Sequence, residues 1–239
     1  MTISRALVII DLQEDFLPPN GSLAVKDGRE IIGDVNELIN LDKYKWKLVI
    51  ASKDWHPKDH CSFASNNNVK EFSLVEFSQP GTKGAIKAKQ VVWPDHCIQN
   101  EKGSEFGYEF REKFERLKEK YGNGRVKVVE KGYLKDREYY SCFNDVWNSH
   151  HTEMEAILDE NEITDVYFVG IAYDYCVLHS SISCARLKKF HTYVLKDVCK
   201  SVAPENDKAT DEKYLAHGVK IIGMRSEEVA RIRDQLGTR

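Results

Sequence analysis

The chain has 239 residues, 41% hydrophobic and 31% charged, with a formal charge of −3, the balance of a globular protein with material for one sizeable core. A slightly acidic chain argues against a nucleic-acid binder or a ligand of anionic membranes, since both want a basic surface. The first apolar run is five residues long, and nothing later approaches the roughly 18 of a membrane span or secretory leader, so the cytoplasm is expected, with the nucleus also open.

In chain order, ALVIID (6–11) is the first of six short runs rich in valine and isoleucine. KLVIAS (47–52), VKVVEK (126–131), DVYFVGI (165–171), HTYVLKD (191–197) and VKIIG (219–223) follow. Continuous β-branched runs of this length predict strands buried on both faces. Apolar residues recur at helical spacing over 28–41, 103–122, 151–162, 174–190 and 204–218. Pro204 opens the last of these, and Gly122 and Gly218 close two, as helix ends require. The alternation predicts an α/β fold: a doubly wound, mostly parallel six-stranded sheet with helices on both faces. One domain spanning 1–239 is expected. Residues 53–103 break the pattern with a loop-rich stretch of His, Trp, Pro and Asn, too long to be filler.

The polar residues at the strand ends carry the functional information, because open α/β sheets bind ligands outside the carboxyl ends of their strands. Strand one ends on Asp11, strand two runs into Asp54 and His56, and strand three ends on Lys131. Strand four runs into GIAYDYC, which places Cys176 at a helix opening. Singly, each has an ordinary explanation: a cap, a solvated lysine, a packed cysteine. Four on one edge predict one site. A helix N-terminus and a neighbouring lysine are expected to lower the Cys176 pKa. Asp11 can then take the thiol proton and return it to a leaving amine. Backbone N–H groups in GIAYDYC are candidates for an oxyanion hole.

Asp54, His56 and a later His96 form a carboxylate and two-imidazole set with open positions, as a catalytic or substrate-binding metal requires. His60 competes with His96 for the third place. Zinc suits these donors, with iron or manganese as alternatives. The six cysteines (61, 97, 142, 176, 184 and 199) include no CxxC pair, so no finger-type zinc site is expected.

Together the stretches VIIDLQEDFLPPNGSL, SKDWHPKDHCSFA, VVWPDHCIQN, EKGYLKDREYYSCFNDVWN and VYFVGIAYDYCV resemble the isochorismatase-like cysteine hydrolases, and within them the fungal-type nicotinamidases. The resemblance implies hydrolysis of nicotinamide to nicotinate and ammonia, in NAD salvage, through a thioester. The related alternatives are a cysteine amidohydrolase of another small amide and a non-catalytic ligand-binding relative. It places the nucleophile, lysine and aspartate on Cys176, Lys131 and Asp11. One divalent metal, zinc before iron or manganese, falls on Asp54, His56 and His96, with Ser62 or a water as a further ligand. Oxyanion amides fall on Ala172 and Cys176, after a cis Ile171–Ala172 peptide. Pocket aromatics fall on Phe16, Trp93, Tyr133 and Tyr140. No nucleic-acid or membrane partner is implied, and a homo-oligomer is left open.

Overall fold

The computed structural model describes residues 3–233. All six expected strands form: β1 (Arg5–Ile10), β2 (Leu48–Asp54), β5 (Val126–Lys131), β6 (Asp165–Ile171), β7 (His191–Lys200) and β8 (Lys220–Ile222). They make one sheet in the order β5-β2-β1-β6-β7-β8, and every pairing is parallel. Side chains alternate across a strand, so β1 feeds two cores. Leu7 and Ile9 pack with α1 (Ile32–Leu38), α3 (Tyr108–Tyr121) and α7 (Glu227–Ile232) on one face. Ala6, Val8 and Ile10 pack with α4 (Met154–Glu160), α5 (Cys176–Arg186) and α6 (Asp207–Ala216) on the other. Burial on both faces is why β1 is apolar at every position from Ala6 to Ile10.

The chain leaves β1 to build β2 and β5 on one side, then returns to build β6, β7 and β8 on the other. The carboxyl ends of β1 and β6 therefore diverge, the place where such sheets hold ligands. Close packing here depends on Gly170, with φ near 117°. A Cβ on Gly170 would lie 2.2 Å from the Ile10 carbonyl oxygen.

The stretch over 53–103 is not only loop. It holds a short helix, α2 (Ala64–Asn67), and an antiparallel hairpin of β3 (Leu74–Ser78) and β4 (Lys87–Val91). The hairpin stands out from the main sheet with Leu74 exposed, so it lacks the buried apolar run that marked the other strands. Among the described residues no helix is long and apolar enough to cross a membrane.

Candidate active site

Register does the first positioning. The β2–β5 ladder pairs Asp54 with Lys131. Asp11 follows β1 with φ near 45°, and β6 continues through Ala172 to Cys176, the first residue of α5. The Ile171–Ala172 peptide is cis, as the resemblance implied.

Lys131 is fully buried. Its ammonium lies 2.8 Å from Asp11 Oδ2 and 2.5 Å from Asp54 Oδ1. It donates to the Tyr139 carbonyl at 3.0 Å and lies 3.6 Å from Cys176 Sγ. A strand carries a lysine inward here because two carboxylates wait for it. Burial pushes its pKa down, but Asp11 and Asp54 outweigh that and hold it charged, well above the usual lysine range. Asp11, Asp54 and Cys176 also cluster closely enough to suggest a metal. The ammonium already fills the position between them.

The thiol departs from expectation. Burial pushes the Cys176 pKa up; Lys131 pulls against it, and Asp11 and Asp54 add to the rise. One lysine shared between two carboxylates has too little charge left to make a resting thiolate. Burial likewise raises Asp11, with Lys131 opposing and Asp54 reinforcing. Both shifts run the same way, so the Cys176 thiol holds its proton with Asp11 beside it.

The other face of Asp54 contributes to a group of side chains that could hold a metal ion. Its Oδ2 lies 3.6 Å from His56 Nε2 and 3.9 Å from His96 Nε2. Two metal–ligand bonds of about 2.1 Å span up to about 4.2 Å, so one ion can reach these donors. His56 Nδ1 bonds the Gly132 carbonyl at 2.9 Å and His96 Nδ1 bonds the Pro94 carbonyl at 2.7 Å. A carbonyl only accepts, so each Nδ1 carries the hydrogen and each Nε2 keeps a lone pair for a ligand. His56 Nε2 is buried without a hydrogen-bond partner, which suits a metal ligand. The residues fit a metal.

His60 does not compete for it. Its Nε2 donates to the Arg137 carbonyl at 3.0 Å, and its Nδ1 pairs with Ser62 Oγ at 2.8 Å. Burial and the nearby His56 push its pKa down to about 3, so it is neutral and fully bonded. The same contact occupies Ser62. Cys97 is buried, with its N–H on Asp15 Oδ2, and burial pushes Cys61 up to about 12.

Cys176, Asp54 and His96 line one small cavity. Phe16, Trp93 and Tyr140 stand in its walls, with Trp93 Nε1 donating to Tyr140 OH at 3.2 Å. Tyr133 does not line it. Its ring packs on Tyr139 and His150, at centroid distances of 6.2 and 5.8 Å. Tyr175 and Glu138 take up wall positions that sequence reasoning missed. The Tyr173 N–H donates to the Lys200 carbonyl on β7, and those of Tyr175 and Val177 donate to the Ala172 carbonyl, while among the described residues those of Ala172 and Cys176 take no such backbone partner.

Two more buried residues were missed. Gln13 donates to the Asp54 carbonyl at 2.7 Å and accepts from the Asp54 N–H at 2.8 Å, clamping that backbone. Ser52 Oγ bonds Asp11. Neither residue type signals chemistry by itself.

Gly132, directly after Lys131, has φ near 73°, and a Cβ there would lie 2.3 Å from the His56 ring. Gly132→Ala should therefore displace His56 and lower bound metal per chain by about tenfold or more, the order set by loss of ligand support. Metal analysis of the purified variant checks this; parent-like content would remove the glycine from the site.

Residues 5–226 match the Isochorismatase domain model. The chain is 34% identical over 221 residues to the nicotinamidase of Saccharomyces cerevisiae, covering 91% of this chain and 99% of that protein. It is 32% identical to the Escherichia coli nicotinamidase, covering 83% and 84%. The crystal structure of the yeast nicotinamidase bound to the inhibitor nicotinaldehyde superposes with a TM-score of 0.84 at 33% identity, covering 92% and 99% of the chains. The zinc complex of Pyrococcus horikoshii pyrazinamidase superposes with a TM-score of 0.68 at 29% identity, covering 92% and 99%. On its sheet, its strand-end chemistry and these matches, the chain belongs to the isochorismatase domain family.

Proposed function

We propose that this protein is a nicotinamidase, one hydrolase domain that converts nicotinamide and water to nicotinate and ammonia in NAD salvage. One observation carries the reading: Cys176 and two metal-type donors, Asp54 and His96, line the same small aromatic cavity. A pyridine carboxamide presents a ring nitrogen to one and an amide carbon to the other.

Cys176 Sγ attacks the carboxamide carbon as its proton passes to Asp11, so no free thiolate has to persist in the buried site. Lys131 holds Asp11 and stays charged throughout. The Ala172 and Cys176 N–H groups accept the charge that develops on the carboxamide oxygen. Asp11 returns the proton to the nitrogen as the C–N bond breaks, and ammonia leaves. Asp11 then takes a proton from water as that water attacks the thioester and passes it to Sγ as the C–S bond breaks, which restores the thiol and releases nicotinic acid, ionising to nicotinate in solvent. Asp54, His56 and His96 would hold a divalent ion, zinc by donor type, which when bound supplies a Lewis-acid contact for the ring nitrogen. Phe16, Trp93 and Tyr140 enclose the ring and keep bulk water out.

Ammonia release from nicotinamide tests the substrate. Steady turnover supports the reading; hydrolysis of other small amides with none of nicotinamide would reassign it. The metal's part has a sharper test. Benzamide lacks the ring nitrogen, so with the parent enzyme it should mimic metal loss, with kcat/KM down about 100-fold or more, the cost of a misplaced substrate. His96→Ala should cost nicotinamide a similar factor and benzamide almost nothing further. Equal losses on both substrates would show that the metal does not act through the ring nitrogen.

A further inference from the structure

Ser52 is a fully buried hydroxyl on β2, brought beside the end of β1 by the register that pairs Ile9 with Ala51. It touches Asp11 twice. Its Oγ lies 3.2 Å from the Asp11 backbone nitrogen and 2.6 Å from Asp11 Oδ1. An N–H can only donate, so the hydroxyl oxygen accepts there, and its single hydrogen is left for the carboxylate. That hydrogen makes Oδ1 a committed acceptor. Oδ2 is different: it lies 2.8 Å from the Lys131 ammonium, yet no hydrogen bond is aligned on it. Of the two oxygens, Oδ1 is tied by the Ser52 hydrogen bond and Oδ2 accepts no aligned hydrogen bond.

We propose that Ser52 is a positioning residue for the reaction assigned above, fixing Asp11 so that Oδ2 alone carries the travelling proton. The step balances. The S–H bond breaks and an O–H bond forms on Oδ2 as the sulfur lone pair makes the C–S bond. That O–H bond then breaks as N–H forms and the C–N bond cleaves. Throughout, Oδ1 keeps the Ser52 hydrogen bond, so the carboxylate cannot rotate its proton away from the sulfur. The two bonds also hold a non-glycine residue in the left-handed region at φ near 45°, a conformation that needs outside support.

The proposal rests on the amidase reading, so its test uses two readouts. One is kcat on nicotinamide. The other is the rate at which iodoacetamide alkylates Cys176 in metal-free protein, which needs the same proton acceptor and no substrate. Ser52→Ala should lower both by about 10- to 100-fold, the effect of losing a hydrogen bond to a charged group, with KM within about twofold. Ser52→Thr keeps the hydroxyl and should recover most of the loss. In an Asp11→Asn background, Ser52→Ala should cost nothing more, because residues acting as a unit are not additive. Equal alkylation loss in both backgrounds, or parent-like alkylation in Ser52→Ala, overturns the role. If the parent does not hydrolyse nicotinamide, the substrate assignment fails, and alkylation still decides the question of Ser52.

Discussion

Cys176→Ala should release no ammonia above background, a loss of roughly 10⁴-fold or more, while fold and metal content stay as in the parent. The proposed reaction rests on a covalent bond to one sulfur, and the other cysteines are poor substitutes for it. Cys142, Cys184 and Cys199 are buried, and burial raises the pKa of each thiol. Cys61 is the most accessible of the six and the natural competitor for an alkylating reagent. Burial, reinforced by the Glu138 and Asp136 carboxylates, pushes its pKa up to about 12, and among the described residues no cation as close as Lys131 is to Cys176 stands beside it. Cys176 should therefore label first, and bound nicotinamide should slow its labelling and no other. Peptide mapping after brief iodoacetamide treatment settles the matter. Label mainly on Cys61 with activity intact, or measurable turnover by Cys176→Ala, would remove the sulfur from the mechanism.

Lys131→Ala should be damaged twice, in stability and in rate. The ammonium separates two buried carboxylates, and deleting it leaves both without a counter-charge. Breaking a buried pair from one side costs roughly 3–5 kcal/mol, so the metal-free variant should melt well below the parent. Its pH dependence has a definite sign. In the parent, burial pushes the Asp54 carboxyl up, but Lys131 and the histidines outweigh this and hold it well below the usual range. That contribution is present above the unfolded pKa of about 4 and disappears as pH falls. In the variant, both folded carboxylates should rise above their unfolded values, which favours the folded state only at low pH. Both effects narrow the gap between variant and parent towards pH 4 and widen it towards neutrality. Turnover at pH 7 should fall about 100-fold or more, since Asp11 would hold its proton rather than take one. A variant that melts like the parent at pH 7, or keeps near-normal turnover, would make Lys131 an ordinary strand end.

The central strands β1, β2 and β6 were legible because two-sided burial leaves an apolar run, and the edge strands β5 and β8 by shorter runs of valine and isoleucine. The β3–β4 hairpin was not, since Lys87, Lys89 and Glu76 break its runs and its faces meet solvent. Asp11, Lys131 and Cys176 could be found as reactive groups at strand ends, and His56 and His96 by donor type. Ser52 and Gln13 could not: a serine inside a strand and a glutamine after one acquire meaning only from the β1–β2 register and the loop that returns to it. Tyr133 entered the pocket only through the resemblance, and its ring packs instead on Tyr139 and His150. The sign of the Cys176 shift was missed for a similar reason. A sequence shows a lysine near a cysteine, but not that two carboxylates divide its charge.

The order of strands in the sheet also bears on how the molecule is made. The ion pair of Lys131 with Asp54 spans 77 residues of chain, and its contact with Cys176 another 45. β1, β2 and β5 are adjacent in the finished sheet, so three of the groups can gather as soon as the first half of the chain has collapsed. The sulfur joins them only when β6 slots in along the open edge of β1. Parallel pairings between such distant segments are slow, because loop closure comes before any contact rewards it. On a ribosome, then, the lysine and its two carboxylates can meet before the nucleophile has been synthesised. A chain ending before α5 could build that charged cluster, but it would have nothing to attack with.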